Sequence, residues 1–225
     1  MSGGFGAFGK IPSLGDFFRF GLSRDFIEPW DSWLQDRILS SQDTLGDGWT
    51  NCYLSAPIWR FSLPAGQAGS HAMSGIIMAS IDRVGRKFPL TFAAPMETEN
   101  TVAHHFSNTD VFEELESLAL RSLEDTTTRD AIQEGLVPLE FRDVKTVLAQ
   151  THPGGETWQS ENSPIPCLAA QSIGTQTQHS GIWSTSLEKD HRIMTCKELP
   201  NAGQMVGMLD LEARLWNSLT PEVVL

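Results

Sequence analysis

Pro57-Ile58-Trp59-Arg60-Phe61-Ser62-Leu63-Pro64 is the stretch on which the fold turns. Trp59, Phe61 and Leu63 alternate, if only partly cleanly, with Ile58, Arg60 and Ser62. That period of two marks a β-strand. Pro64-Ala65-Gly66 turns the chain. A second strand is expected over residues 73–81, centred on Ile76, Ile77 and Met78, and a third from Phe88 to Ala94, ending at Pro95. Three successive strands with short polar or glycine-containing links predict an antiparallel meander.

Toward the N-terminus, residues 5–10 read as a short glycine-rich strand and residues 11–16 as a turn punctuated by Pro12 and Gly15. From about Asp25 the period becomes helical. Phe26, Trp30, Trp33, Leu34 and Ile38 share a face, and Pro29 sits early, where a missing N–H costs little. Ser40-Ser41 and the Gly46/Gly48 pair close this helix. Toward the C-terminus, Asp110 with Glu113 resembles a capping box opening a helix through Leu115, Leu118 and Leu123. Residues 130–150 suggest short helices. Residues 154–166 and 174–179 read as polar loops. Ile182–Leu187 and Arg192–Cys196 predict a hairpin across residues 188–190. Asn201 is the expected N-cap of a last helix through Met205, Met208, Leu211, Leu215 and Leu219, stopped by Pro221. The order implies an α/β chain of the α+β type. The expectation is a single domain over residues 1–225, with a largely antiparallel mixed sheet and helices packed on its faces.

Composition narrows the function classes. The 225 residues are 40% hydrophobic and carry a formal net charge of -12. A chain of this size buries roughly 70% of its unfolded surface, and an acidic surface repels nucleic-acid backbones and anionic membranes. Cys52, Cys167 and Cys196 are odd in number and far apart, with no CxxC pair, which argues against a disulfide framework or a thiolate zinc site. The N-terminus lacks the features of a secretory signal, and no apolar run reaches the ~18 residues of a membrane span. The expected location is the cytoplasm, with no nucleic-acid partner and no membrane insertion.

Motifs of catalysis are incomplete. Gly4-x-Gly6-x-x-Gly9 and Gly4-xxxx-Gly9-Lys10 approach dinucleotide and phosphate loops, but almost nothing precedes them, Ile11 stands where a magnesium-binding hydroxyl is needed, and no helical period follows. The glycines read instead as permitting a tight turn and close packing. His104-His105 is an adjacent pair, whose side chains diverge on a helix, and the other histidines are isolated. No nucleophile elbow is present. No catalytic residue, cofactor or metal is therefore assigned, and the chain is expected not to be an enzyme.

Two segments differ in character: Lys10-x-Pro12-x-x-Gly15-Asp16-Phe17 and Asp82-Arg83-x-Gly85-Arg86-x-Phe88-Pro89. Charges, turn-formers and aromatics are compressed in each. Asp16 is expected to accept a guanidinium from Arg83 or Arg86, tying the loops together. The structural tie is the first reading, and the same residues also suit a recognition surface, where arginine and aromatics are favoured. Asp16, Arg83 and Arg86 are its expected centre, with Trp59 and Phe88 beneath.

These segments carry a family likeness. Phe8–Phe17 resembles the GKxPxxGDF signature of TagF/ImpM proteins. Phe26–Leu34 is similar to that family's first helix, Ala56–Phe61 to its APxWRF strand, and Ile81–Leu90 to its DRxGRxFPL segment. Ser180–Ser184 and Leu199–Gly203 match its later parts more loosely. The resemblance implies an accessory protein of bacterial type VI secretion, linked to post-translational repression and a threonine kinase/phosphatase switch. Its implied partners are secretion components, an FHA-domain scaffold protein among them. The implied fold is a mixed α/β domain with an antiparallel sheet.

Overall fold

The computed structural model describes residues 4–98, 100–143, 148–153, 155–159, 180–187 and 190–217. Strands β1 (Gly6–Gly9), β2 (Phe18–Phe20), β3 (Trp59–Leu63), β4 (Met73–Met78), β5 (Leu90–Pro95), β8 (Gly181–Leu187) and β9 (Asp190–Cys196) form one sheet in the order β2-β1-β5-β4-β3-β8-β9. Every neighbouring pair is antiparallel. The meander is present as β3-β4-β5, and the sheet contains no parallel pair. Strands β6 (Leu148–His152) and β7 (Gly155–Gln159) pair only with each other. The expected loop over 154–166 is thus a strand over its described part, and the loop over 174–179 lies outside the described residues.

Helices cover both faces. On one face lie α1 (Arg24–Leu45), α2 (Trp49–Ser55) and α6 (Ala202–Leu209), followed by the short α7 (Arg214–Asn217). On the other lie α3 (Thr101–Ser107), α4 (Thr109–Arg121) and α5 (Arg129–Leu136). Two-sided cover explains why the alternation in β3 is blurred: all five of its residues are buried. Trp59, Phe61 and Leu63 join the α1 face, where Trp30 lies parallel to Trp183 at 6.0 Å and Trp30 Nε1 donates to Thr91 Oγ1. Arg60 and Ser62 point the other way. Arg60 makes a two-pronged pair with Glu116 on α4, at 2.6 and 2.8 Å. Ser62 Oγ meets His105 Nδ1 at 3.0 Å and Ser74 Oγ at 2.8 Å, and His105 Nε2 meets Ser184 Oγ at 2.7 Å. A polar ladder therefore runs across three strands beneath α3, with its donors and acceptors matched as burial requires.

Several boundaries shift for local reasons. Helix α1 begins at Arg24, capped by Ser23, so Pro29 is in the second turn rather than the first. The carbonyl of Asp25 therefore loses its usual intrahelical donor. No capping box opens α4. Its N-cap is Asn108, whose amide is committed to the Arg142 backbone and the His104 carbonyl, while Asp110 pairs with Arg142. The last helix is two: α6 stops at Asp210, whose carboxylate and carbonyl accept from Glu212 and Ala213 N–H groups. Leu219 and Pro221 lie outside the described residues.

The expected cap at Asn201 is present. Its side chain accepts from Gln204 N at 3.0 Å, and Gln204 Oε1 accepts from Asn201 N at 2.9 Å. Asn201→Ala is expected to cost about 1 kcal/mol in urea denaturation. No measurable loss would mean that packing alone holds α6.

Candidate functional site

The two motif segments leave the sheet at one corner. Residues 10–17 join β1 to β2, residues 79–89 join β4 to β5, and β1 lies beside β5. The strands approach so closely at this corner that a Cβ on Gly9, which has φ +137°, would collide with the Pro89 carbonyl. Of the glycines of the supposed phosphate loop, Gly6 and Gly9 are strand positions packed against neighbouring backbone and Gly4 stands exposed ahead of β1, while Lys10 is buried rather than poised for a ligand. Pro12 occupies the second position of a turn closed by Leu14 N donating to Ile11 O at 3.1 Å.

Asp82 organises both loops. It is 1% exposed. Its Oδ1 accepts from the N–H groups of Val84 and Arg86, at 3.0 and 2.9 Å, which shapes the turn in which Gly85 adopts φ +83°. Its Oδ2 accepts from Lys10 Nζ at 3.0 Å and Arg86 Nε at 2.6 Å. Arg86 Nη2 then reaches the Gly15 carbonyl at 2.6 Å, and Arg83 N donates to Leu14 O at 2.9 Å. Burial alone would raise the Asp82 pKa. The Arg86 N–H, the Lys10 ammonium, the Arg86 guanidinium and the Val84 N–H outweigh it, and hold the carboxyl well below the usual carboxylate range.

The expected Asp16–arginine tie is not formed. Asp16 is exposed and turns back to accept from Phe17 N at 2.7 Å. Asp82 takes Arg86 instead, because the turn brings them together locally. Arg83 is exposed, and among the described residues its side chain makes no ion pair and no hydrogen bond; the guanidinium lies along Gly15. Phe88 sits under the loops as expected, with its ring 5.7 Å from Phe8 and 4.9 Å from Phe17. Trp59 does not: it stacks on Trp216 and donates to the Met208 carbonyl. Tyr53 on α2 takes Trp59's expected place as a support, since its hydroxyl bonds both the carbonyl and the N–H of Ser80.

Residues 6–139, which include both loops, match the family model of the TagF N-terminal domain, described as type VI secretion system-associated. The chain belongs to the TagF family. The crystal structure of PA0076 from Pseudomonas aeruginosa PAO1 is similar to it over 97% of this chain and 99% of that one, with a TM-score of 0.78 and 32% identity. No curated protein sequence matches it significantly. The described residues of this TagF-family chain contain no helix long and apolar enough to cross a membrane, and no cluster of three or more histidine, cysteine or carboxylate side chains set to hold a metal.

Three arrangements elsewhere could have hosted chemistry. His105 in the serine ladder is fully enclosed, which denies it a substrate. Asp25, Ser70 and His71 meet at the surface, but Asp25 accepts from Ser70 itself, through N–H and hydroxyl, so the serine is spent as a loop tie rather than activated. A cleft of about 580 Å³, bordered by Phe5, Met96, His104, Glu140 and Phe141, lies apart from the motif loops. Sequence reasoning placed Phe17 only among the aromatics of its segment and missed Val84 altogether; the loops hold them 37% and 68% exposed. Their signal was apolar residues inside otherwise polar turns.

Proposed function

We propose that this TagF-family chain is a cytoplasmic negative regulator of type VI secretion that acts after translation by binding a secretion component through the two motif loops. The whole chain acts as one unit, since β8 and β9 complete the sheet that carries the loops. The observation that carries this reading is the division of labour at the loops. Asp82, Lys10 and Arg86 satisfy one another and fix the backbone, while Arg83, Val84, Asp16 and Phe17 face solvent on that rigid frame. A loop backbone already fixed in this way spares binding the cost of ordering the loops. An FHA-domain scaffold is the partner that the family likeness offers.

The test is secretion of the tube protein from cells overproducing the chain, beside Arg83→Ala, with soluble levels compared. Wild type is expected to suppress secretion. Arg83→Ala is expected to relieve suppression while its stability stays within about 0.5 kcal/mol of wild type. Undiminished secretion with wild type overturns the regulatory reading. Suppression by Arg83→Ala equal to wild type overturns the role of the loops.

A further inference from the structure

The motif corner is a basic island on an acidic protein. Residues 10–19 and 79–89 hold five basic side chains, Lys10, Arg19, Arg83, Arg86 and Lys87, against two acidic ones, whereas the chain as a whole has 16 basic and 28 acidic residues. Asp82 absorbs Lys10 and Arg86. Three cations remain without an ion pair among the described residues. Arg83 lies over Gly15, Arg19 sits over the Phe8 ring at 5.4 Å, and Lys87 sits over the Trp49 ring at 5.7 Å. Phe8 stacks on Phe17 at 5.7 Å, so the aromatic group at this corner runs from Arg19 to the half-exposed Phe17 ring.

We propose that this corner is a socket for a short acidic segment of a partner protein, in which an aspartate or glutamate pairs with Arg83 and a neighbouring apolar side chain packs on Phe17 and Val84. This inference rests on the protein-binding reading above and names the chemistry of its partner. Charge complementarity decides the class. A guanidinium such as that of Arg83 matches a carboxylate fork to fork. A phosphate dianion gains most from several converging donors, but here the donors of Lys10 and Arg86 are already committed and Asp16 stands exposed at the rim. A nucleic acid would have to continue across the acidic remainder of the surface, which repels it. An acidic peptide can end where the island ends.

The test is fluorescence anisotropy of the purified full chain with a labelled peptide in which glutamates flank a single leucine. Three companions complete it: the same peptide with glutamine for glutamate, one with phosphothreonine for a glutamate, and a single-stranded oligonucleotide. The acidic peptide is expected to bind below about 1 mM at low salt, and to weaken as salt rises. The glutamine version is expected to bind about tenfold or more weakly. Arg83→Ala is expected to lose about tenfold toward the acidic peptide, and Arg83→Glu more. Circular dichroism and melting temperature confirm that the variants are folded, and Arg83→Lys, expected to retain partial binding, guards against an effect of shape alone. The proposal is overturned by no saturable binding below about 1 mM, by equal affinity for the glutamine peptide, by indifference to Arg83, or by preference for phosphothreonine or oligonucleotide. Arg83-dependent binding with no suppression of secretion would keep the socket and remove the regulatory reading. Suppression that needs Arg83 without discrimination of glutamate from glutamine would do the reverse.

Discussion

Acidification is expected to destabilise this protein well above the range in which carboxylates titrate, because α3 buries two neutral histidines. His104 and His105 are 3% and 2% exposed. Burial pushes His104 down to about 4. Burial, with His104 and Arg60 close by, pushes His105 down to about 3. An unfolded histidine titrates near 6.5, so between that value and the folded values the unfolded chain binds more protons, and stability falls as pH falls. The loss begins near pH 6.5, continues to about pH 4 for His104 and about pH 3 for His105, and then stops. A shift of this size corresponds to roughly 3 kcal/mol for each histidine or somewhat more, against a total of about 5–15 kcal/mol for a native domain. Asp82 acts with the same sign but lower on the scale: its depressed carboxyl supports the fold above the ordinary carboxylate value near 3.8 and loses that role only below it. The first acid loss therefore belongs to the histidines. His104 Nε2 is buried without a partner and the ring packs edge-on against Phe141 at 4.7 Å, so His104→Phe suits the site. Urea denaturation between pH 7.5 and pH 4.5 should show a steep loss in wild type and a loss smaller by roughly 3 kcal/mol in the variant. Parallel pH profiles for the two proteins would refute this account.

The second large effect is expected at Asp82. Asp82→Ala strips the counter-charge from Lys10, which is 7% exposed, and leaves two backbone N–H groups of the turn without their acceptor. Breaking one side of a buried pair is strongly destabilising, and for a chain of this length the melting temperature should fall by about 10 °C or more. Asp82→Asn keeps an acceptor for the turn and should fall less. Asp16→Ala removes only a short-range bond at an exposed site and should melt close to wild type. An Asp82→Ala protein that melts within about 2 °C of wild type would show that the loops are held by their aromatic base alone.

The contrast between Asp16 and Asp82 shows how far the sequence could be read. Both aspartates stand beside turn-formers and both were within reach of arginines, so the tie between the loops was legible but its centre was not. What separates them is geometry. Gly85 at positive φ bends residues 82–86 until Asp82 meets its own Arg86, and no spacing rule announces that. The meander, the terminal hairpin and the Asn201 cap were legible because each is set by neighbours in sequence. The break at Asp210 was not, because Met205, Met208, Leu215 and Trp216 serve the same core on both sides of it and so keep one helical period. Helix α3 also escaped notice. It is seven residues long, and its histidines look polar in a sequence although both are buried, His105 between serines of two strands and His104 against Phe141. The exposed half of the candidate site, Arg83 with Phe17 and Val84, was visible only as a composition. Which of its charges is free depends on which are already taken.

The place of β8 beside β3 has a consequence for biosynthesis. Thr185 Oγ1 donates to the Ile58 carbonyl across 127 residues of chain, and at ribosomal speed those residues take roughly 6–25 s to make. Until they emerge, β3 presents an open row of backbone donors and acceptors with Trp59 and Phe61 on one side, a template for pairing with any other nascent strand. The family-defining segment, residues 6–139, is thus born with an unfinished edge. Closing that edge falls to a hairpin encoded later in the message.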